Sequence, residues 1–169
     1  MYTSAPADTL VETAGIDAEL VHLMNQHERA LYNFLLLLVH EPEVAKDCVQ
    51  DTFLRAYEQL RKEKPVNAAW LFTVARHRAI DRFRKERRTQ SAGDTLEQIP
   101  SSHRPERSAD VRVILQALPP GDRDVLYLFE VAGFKTDEIG TMLGIRGSAV
   151  RQRLYRARER FRAMYGPEP

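Results

Sequence analysis

The chain has 169 residues, 43% hydrophobic and 29% charged, with a formal net charge of +1. That length allows one domain or two small ones, and the composition is that of a soluble, helix-rich protein. The longest apolar run, Phe34 to Val39, falls far short of the roughly 20 residues a membrane-spanning helix needs. The single cysteine, Cys48, excludes an internal disulfide and a multi-cysteine zinc site.

Residues 1–15 lack the basic start and apolar centre of a signal peptide and read as a disordered tail of a cytoplasmic protein. From Ile16, residues Leu20, Leu23, Met24, His27, Leu31, Phe34 and Leu38 recur at steps of three and four, which predicts a first helix ending at His40-Glu41-Pro42. Pro42 suits the first turn of a second helix, where its missing amide hydrogen is no loss. The apolar stripe of that helix is Val44, Cys48, Val49, Thr52, Phe53, Ala56 and Leu60. Residues 62–66 (KEKPV) end it, and Asn67 can cap a third helix from Ala68 to about Arg88. Its predicted buried side is Trp70, Leu71, Val74, Ala75, Ala79 (or Ile80) and Phe83.

Residues 89–108, rich in Ser with two Pro and one Gly, read as a linker. Loops of about twenty residues are uncommon inside one compact domain, so a boundary is expected there. Val111, Ile114, Leu115 and Leu118 then open a second helical unit. Asp122 is placed to cap a helix running through Glu130, and Gly133 to close it in the left-handed conformation. Residues 136–165 hold two further helices separated by Gly144-Ile145-Arg146-Gly147. No strand pattern is present. The expected fold is all-α, with two small helical domains at 16–88 and 109–165 joined by a flexible linker at 89–108.

The near-neutral total hides two cationic helices. Residues 76–88 carry seven basic and two acidic residues, and residues 146–162 carry seven basic and one acidic. Residues 1–64 are acidic, with six basic against eleven acidic. Such basic helices are the electrostatic footprint of nucleic-acid binding, in which neutralised phosphates release counterions. Residues 136–161 also have helix-turn-helix grammar: Thr136 and Ser148 as caps, Gly144 at the turn, and Val150, Leu154, Ala157 and Phe161 inward. Arg151, Gln152, Tyr155 and Arg156 then face outward from the part of the helix that enters a major groove. Arg can bind guanine O6 and N7 bidentately, and Gln can do the same for adenine. Arg153, Arg158, Arg160 and Arg162 are expected to contact phosphates or pair within the chain. The sequence has no phosphate loop, nucleophile motif or metal-ligand spacing. No enzyme, cofactor, metal or small-molecule substrate is therefore expected.

These blocks, in this order and with this gap, resemble the extracytoplasmic-function (ECF) sigma factors of bacterial RNA polymerase, from about Leu20 to Met164. AKDCVQDTFLRAY (45–57) is similar to the family's polymerase-binding helix, and WLFTVARHRAIDRFRKERR (70–88) to the segment that opens and reads the minus-ten element. ALPPGDRDVLYL and DEIGTMLGIRGSAVRQRLYRARERF are similar to the region that reads the minus-thirty-five element. The resemblance implies a dissociable promoter-specificity subunit without chemistry of its own. Its partners would be promoter DNA, the clamp of the largest polymerase subunit and the flap of the second-largest, and an anti-sigma factor. By resemblance, Asp47, Gln50, Asp51, Phe53 and Arg55 meet polymerase. Asn67, Arg76, His77, Arg84, Arg87 and Arg88 meet the melted minus-ten element, whose flipped base is held by the loop 61–67. Ser148, Arg151, Gln152, Tyr155 and Arg156 meet the minus-thirty-five element. Off the polymerase, the two domains would pack together and hide both readers. Departures from the family pattern are His77 for Asn, Gly140 for Ala, Ala149 for Thr, Gln152 for Ser and Cys48 for Leu. The alternatives are a decoy that binds an anti-sigma factor, whose basic helices should have eroded, and a stand-alone helix-turn-helix regulator, which would need no polymerase-binding block.

Overall fold

The computed structural model describes residues 7–90 and 111–166, in which seven helices and no strand form. They are α1 (Ala7–Val39), α2 (Pro42–Leu60), α3 (Ala68–Gln90), α4 (Val111–Ala117), α5 (Pro120–Glu130), α6 (Thr136–Leu143) and α7 (Gly147–Tyr165). None is long and apolar enough to cross a membrane. The expected linker lies almost wholly outside the described residues.

α1 starts at Ala7, nine residues before Ile16, so helix runs back through most of the stretch expected as a tail. Between Pro6 and Ile16 nothing in the sequence breaks a helix except Gly15, and a single glycine costs only about 1 kcal/mol. Among the side chains described, from Thr13 on, burial nevertheless begins where the periodicity does, with Ile16 and Leu20 half-buried and Leu23 the first core residue. His40, with φ +60°, ends α1 in the left-handed region, and Pro42 opens α2 two residues later. The Asn67 side chain caps α3 by accepting a hydrogen bond from the Trp70 amide at 2.9 Å.

α1, α2 and α3 pack on one another around Leu31, Leu35, Ala45, Ala56, Leu71 and Ala75, all of them fully buried. Phe83, expected inward on α3, is 43% exposed. Its neighbour Arg82 is the residue turned toward α2 at this height, pairing with Asp47 at 3.2 Å. Phe72, which fell outside the expected stripe, is buried instead.

The second helical unit, α4 to α7, packs on the first: α4 and α5 rest on α1, and α6 rests on α3. Four aromatic rings make the join. Phe34 of α1 stacks on Tyr127 of α5 at 5.4 Å between centroids, and Phe72 of α3 meets Phe134 edge-on at 5.3 Å. Phe34 and Phe72 lie 5.7 Å apart, which closes the cluster. The Tyr127 hydroxyl donates to the Ala30 carbonyl at 2.8 Å, and burial pushes its pKa up to about 12. The two units therefore share one continuous core.

Candidate nucleic-acid interface

α6 and α7 form the helix-turn-helix, but both expected caps are displaced. Thr136 is the first residue inside α6, whose start is held by the Lys135 amide donating to Glu138 Oε2 at 2.7 Å. Ser148 lies within the first turn of α7, with Arg146 preceding the helix. Each helix thus starts one or two residues before the hydroxyl that residue preference favours as its cap. Gly144 has φ +67° and ends α6 as expected. Gly140 has a second reason to be glycine: a Cβ there would lie 2.8 Å from the Ile145 carbonyl oxygen. The turn thus folds directly onto the back of α6.

On α7, Val150, Leu154 and Ala157 are buried and Phe161 is half-buried, so the inward face is the one the spacing predicts. Ser148, Arg151, Gln152, Tyr155 and Arg156 are all exposed and together line one shallow concavity. Tyr155 stands 68% exposed, an aromatic ring presented to solvent among cations.

Three of the other arginines of α7, Arg158, Arg160 and Arg162, pair inside the chain. Arg158 donates to Glu130 at 2.6 and 2.9 Å and lies 5.3 Å over the Phe129 ring. Arg162 pairs with Glu159 at 2.7 Å. Arg160 binds one carboxylate oxygen of Asp122, and Arg156 binds the other at 3.3 Å. Asp122 is not the helix cap it was expected to be. It is the third residue of α5, 3% exposed, and holds two side chains of α7.

On α3, His77, Arg84 and Arg88 are exposed at steps of seven and four, on one face of the helix. The side chain of Arg87 lies outside the described residues. Asn67 is occupied by its capping bond, and Arg76 turns away from that face, donating to Asp124 Oδ2 of α5 at 3.0 Å. Asp124 is 2% exposed, and burial pushes its carboxyl above the usual carboxylate range against the pull of Arg76 and Arg123. Burial also lowers the neighbouring Arg123. Arg123 Nε and Asp124 Oδ1 have no hydrogen-bond partner among the described residues.

The packing of the two units therefore engages Arg76 but leaves the concavity on α7 open. The expectation that packing would hide both readers is corrected: the α7 concavity is open, and on α3 only Arg76 is engaged while His77, Arg84 and Arg88 stay exposed. α7 turns its buried face to α5 and α6 and its polar face to solvent.

Between α2 and α3 runs a charged groove lined by Asp47, Gln50, Asp51, Leu54, Arg78 and Arg82. Asp51 pairs with Arg78, and Asp47 accepts from Arg82 at 3.2 Å, so much of its charge is internally balanced. Arg55 is exposed beside Asp51, 3.9 Å from it. Phe53, expected on this surface, is only 5% exposed and belongs to the core. Its neighbour Leu54 is 64% exposed and is the apolar residue the surface offers. Burial pushes the Cys48 thiol up, which suits a small core hydrophobe rather than a redox group.

The sequence did not single out Asp122-Arg123-Asp124 as buried. No local signal marked it, because three consecutive charges span about 200° of a helix, an arc that the polar face of an amphipathic helix can hold.

Comparison with known proteins agrees with this architecture. Residues 23–89 match the family description Sigma-70 region 2, and residues 108–161 match Sigma-70, region 4. The ECF RNA polymerase sigma factor SigM of Bacillus subtilis is 30% identical over 148 residues, covering 80% of this chain and 88% of SigM. The ECF RNA polymerase sigma factor SigE of Mycolicibacterium smegmatis is 26% identical over 151 residues, covering 83% of this chain but 59% of SigE. Against that relative, then, the chain spans under two thirds of the length. Among solved structures, the sigma factor RpoE of Bartonella quintana, in complex with the anti-sigma factor NepR, superposes with a TM-score of 0.69. It is 26% identical, and the match covers 88% of this chain and 94% of that one.

Proposed function

The chain belongs to the ECF sigma factors of bacterial RNA polymerase, and on that premise we propose how its surfaces divide the work of promoter recognition. The concavity on α7 reads the duplex minus-thirty-five element through Arg151, Gln152, Tyr155 and Arg156, with Ser148 at its rim. The exposed face of α3, with His77, Arg84 and Arg88, holds the minus-ten element as it melts, joined by Arg76 once the units separate. The groove between α2 and α3 docks on core polymerase through Leu54, the amide of Gln50 and the charges of Asp47, Asp51 and Arg55. The protein supplies no chemistry of its own; the core enzyme makes RNA, and the work is done in the cytoplasm, where polymerase acts.

The observation that carries this reading is the single concavity that gathers all five upstream residues on the outer face of a helix-turn-helix. Similarity to a sigma factor solved with its anti-sigma factor supports control by such a partner here as well. The direct test is run-off transcription with purified core polymerase on upstream regions from the native genome. Starts mapped downstream of one shared pair of elements are expected. No initiation at any of them, in the absence of inhibitor, would sink the proposal.

A further inference from the structure

Asp122 is a charged side chain 3% exposed at the first turn of α5, and both of its oxygens are spent on the recognition helix. Oδ1 accepts from Arg156 Nη2 at 3.3 Å, and Oδ2 accepts from Arg160 Nη1. One turn earlier on the same face, the Arg153 guanidinium lies across Gly121, where a Cβ would meet its Nη1 at 2.8 Å. Arg156 alone of these three also lines the open concavity with Ser148, Arg151, Gln152 and Tyr155. It is 52% exposed at its side chain, against 5% for its partner. One end of its guanidinium is thus fixed to a buried carboxylate while the remainder faces solvent.

From this we infer that Asp122 is a specificity-determining positioning residue, which orients Arg156 for base reading without touching DNA itself. The inference rests on the proposed role of the α7 concavity. Arg has five N–H donors in a rigid fork, so one bond to Asp122 leaves enough to grip guanine O6 and N7 together. An arginine already anchored loses less rotamer freedom on binding, and a fixed fork rejects a misplaced acceptor that a mobile one would follow. Arg160, held on the other oxygen, keeps the carboxylate aimed.

The test uses holoenzyme reconstituted from core polymerase and full-length chain, selected on a promoter library randomised across the minus-thirty-five element. Arg156→Ala should flatten preference at one base pair. Asp122→Asn should weaken preference at that same pair by roughly three- to tenfold. It should also raise affinity for non-specific DNA at low salt, because a carboxylate is lost and two arginines are released to phosphates. In the Arg156→Ala background, Asp122→Asn should change the base profile no further. Asp122→Glu keeps the charge but moves the carboxylate by one methylene, so it should restore thermal stability without restoring the preference.

An unaltered profile in Asp122→Asn, or equal weakening on every sequence, overturns the inference and leaves Asp122 as a tie between helices. So does full recovery of the profile in Asp122→Glu. If Arg156→Ala itself leaves every base preference intact, the assignment of Arg156 as a reader has failed, and the inference falls with it.

Discussion

Phe53 and Leu54 are neighbours on α2, yet one is 5% and the other 64% exposed. The resemblance to known sigma factors pointed to Phe53 as a polymerase contact, while its place in the apolar stripe Val49, Thr52, Phe53, Ala56 had already put it inside. Geometry decides for the stripe. Phe53→Ala should cost about 3–5 kcal/mol of folding stability, as a buried ring replaced by a cavity does. Any loss of polymerase binding in that variant should track the fraction unfolded. Leu54→Asp should do the reverse, leaving the thermal midpoint within about 0.5 kcal/mol of the parent, as exposed substitutions do, while weakening association with core polymerase. Chemical denaturation beside a binding titration separates the two. Leu54→Asp binding core polymerase like the parent would remove Leu54 from the docking surface. Inward and outward faces were legible wherever the apolar period was clean, as on α2 and α7. What stayed illegible were residues whose partners lie far along the chain: Asp122 with Arg156 and Arg160, Arg76 with Asp124, and Tyr127 with Ala30. No local pattern records a contact made between separate helices.

At the scale of elements, the helix-turn-helix depends on how closely the turn lies on α6. From sequence, Gly140 showed only a propensity cost of about 1 kcal/mol relative to alanine. In the fold, its α-carbon faces the Ile145 carbonyl, and the Ile145 amide donates back to the Gly140 carbonyl at 2.9 Å. Backbone, not a flexible side chain, occupies the space a larger residue would need. Gly140→Val should therefore destabilise the second unit by about 1–3 kcal/mol through overpacking. It should also displace α7 relative to α6, so upstream DNA binding falls by more than the loss of folded protein explains. Thermal melts and binding to a minus-thirty-five duplex measure the two effects; a variant as stable as the parent would refute the close approach. The same economy explains the misplaced caps. Thr136 and Ser148 are good capping residues by type, but each lies just inside a helix begun by the residues before it. Residue preference located both helices and missed their ends by one or two positions, the usual uncertainty of helix termini.

The whole molecule, as it stands, is too small for its proposed task. A compact chain of 169 residues has a radius of gyration of about 15 Å. The centres of two elements 25 base pairs apart lie about 85 Å from each other along B-form DNA at 3.4 Å per step. One closed chain cannot read both, so the contacts between α1–α3 and α4–α7 must break before a promoter is engaged. Two kinds of contact hold them, and they act differently. The rings of Phe34, Phe72, Tyr127 and Phe134 gain from burial, whereas Arg76, Arg123 and Asp124 lose hydration that their mutual attraction does not fully return. The raised pKa of Asp124 states that balance: its burial cost exceeds the pull of its arginines. A carboxyl raised in the closed form contributes stability that is complete below its ordinary range and lost as pH rises through the raised value. The closed form should accordingly loosen as pH climbs above the ordinary carboxylate range. Asp124→Asn, neutral at every pH, should stay closed and abolish that dependence. Phe134→Ala should open the molecule, since it removes the ring that meets Phe72 and costs about 3–5 kcal/mol. Distances between labels on exposed positions of α3 and α7 report both. A closed Phe134→Ala variant would show that the aromatic join is not what keeps the readers together, and a parent whose distances do not move with pH would remove Asp124 from that balance.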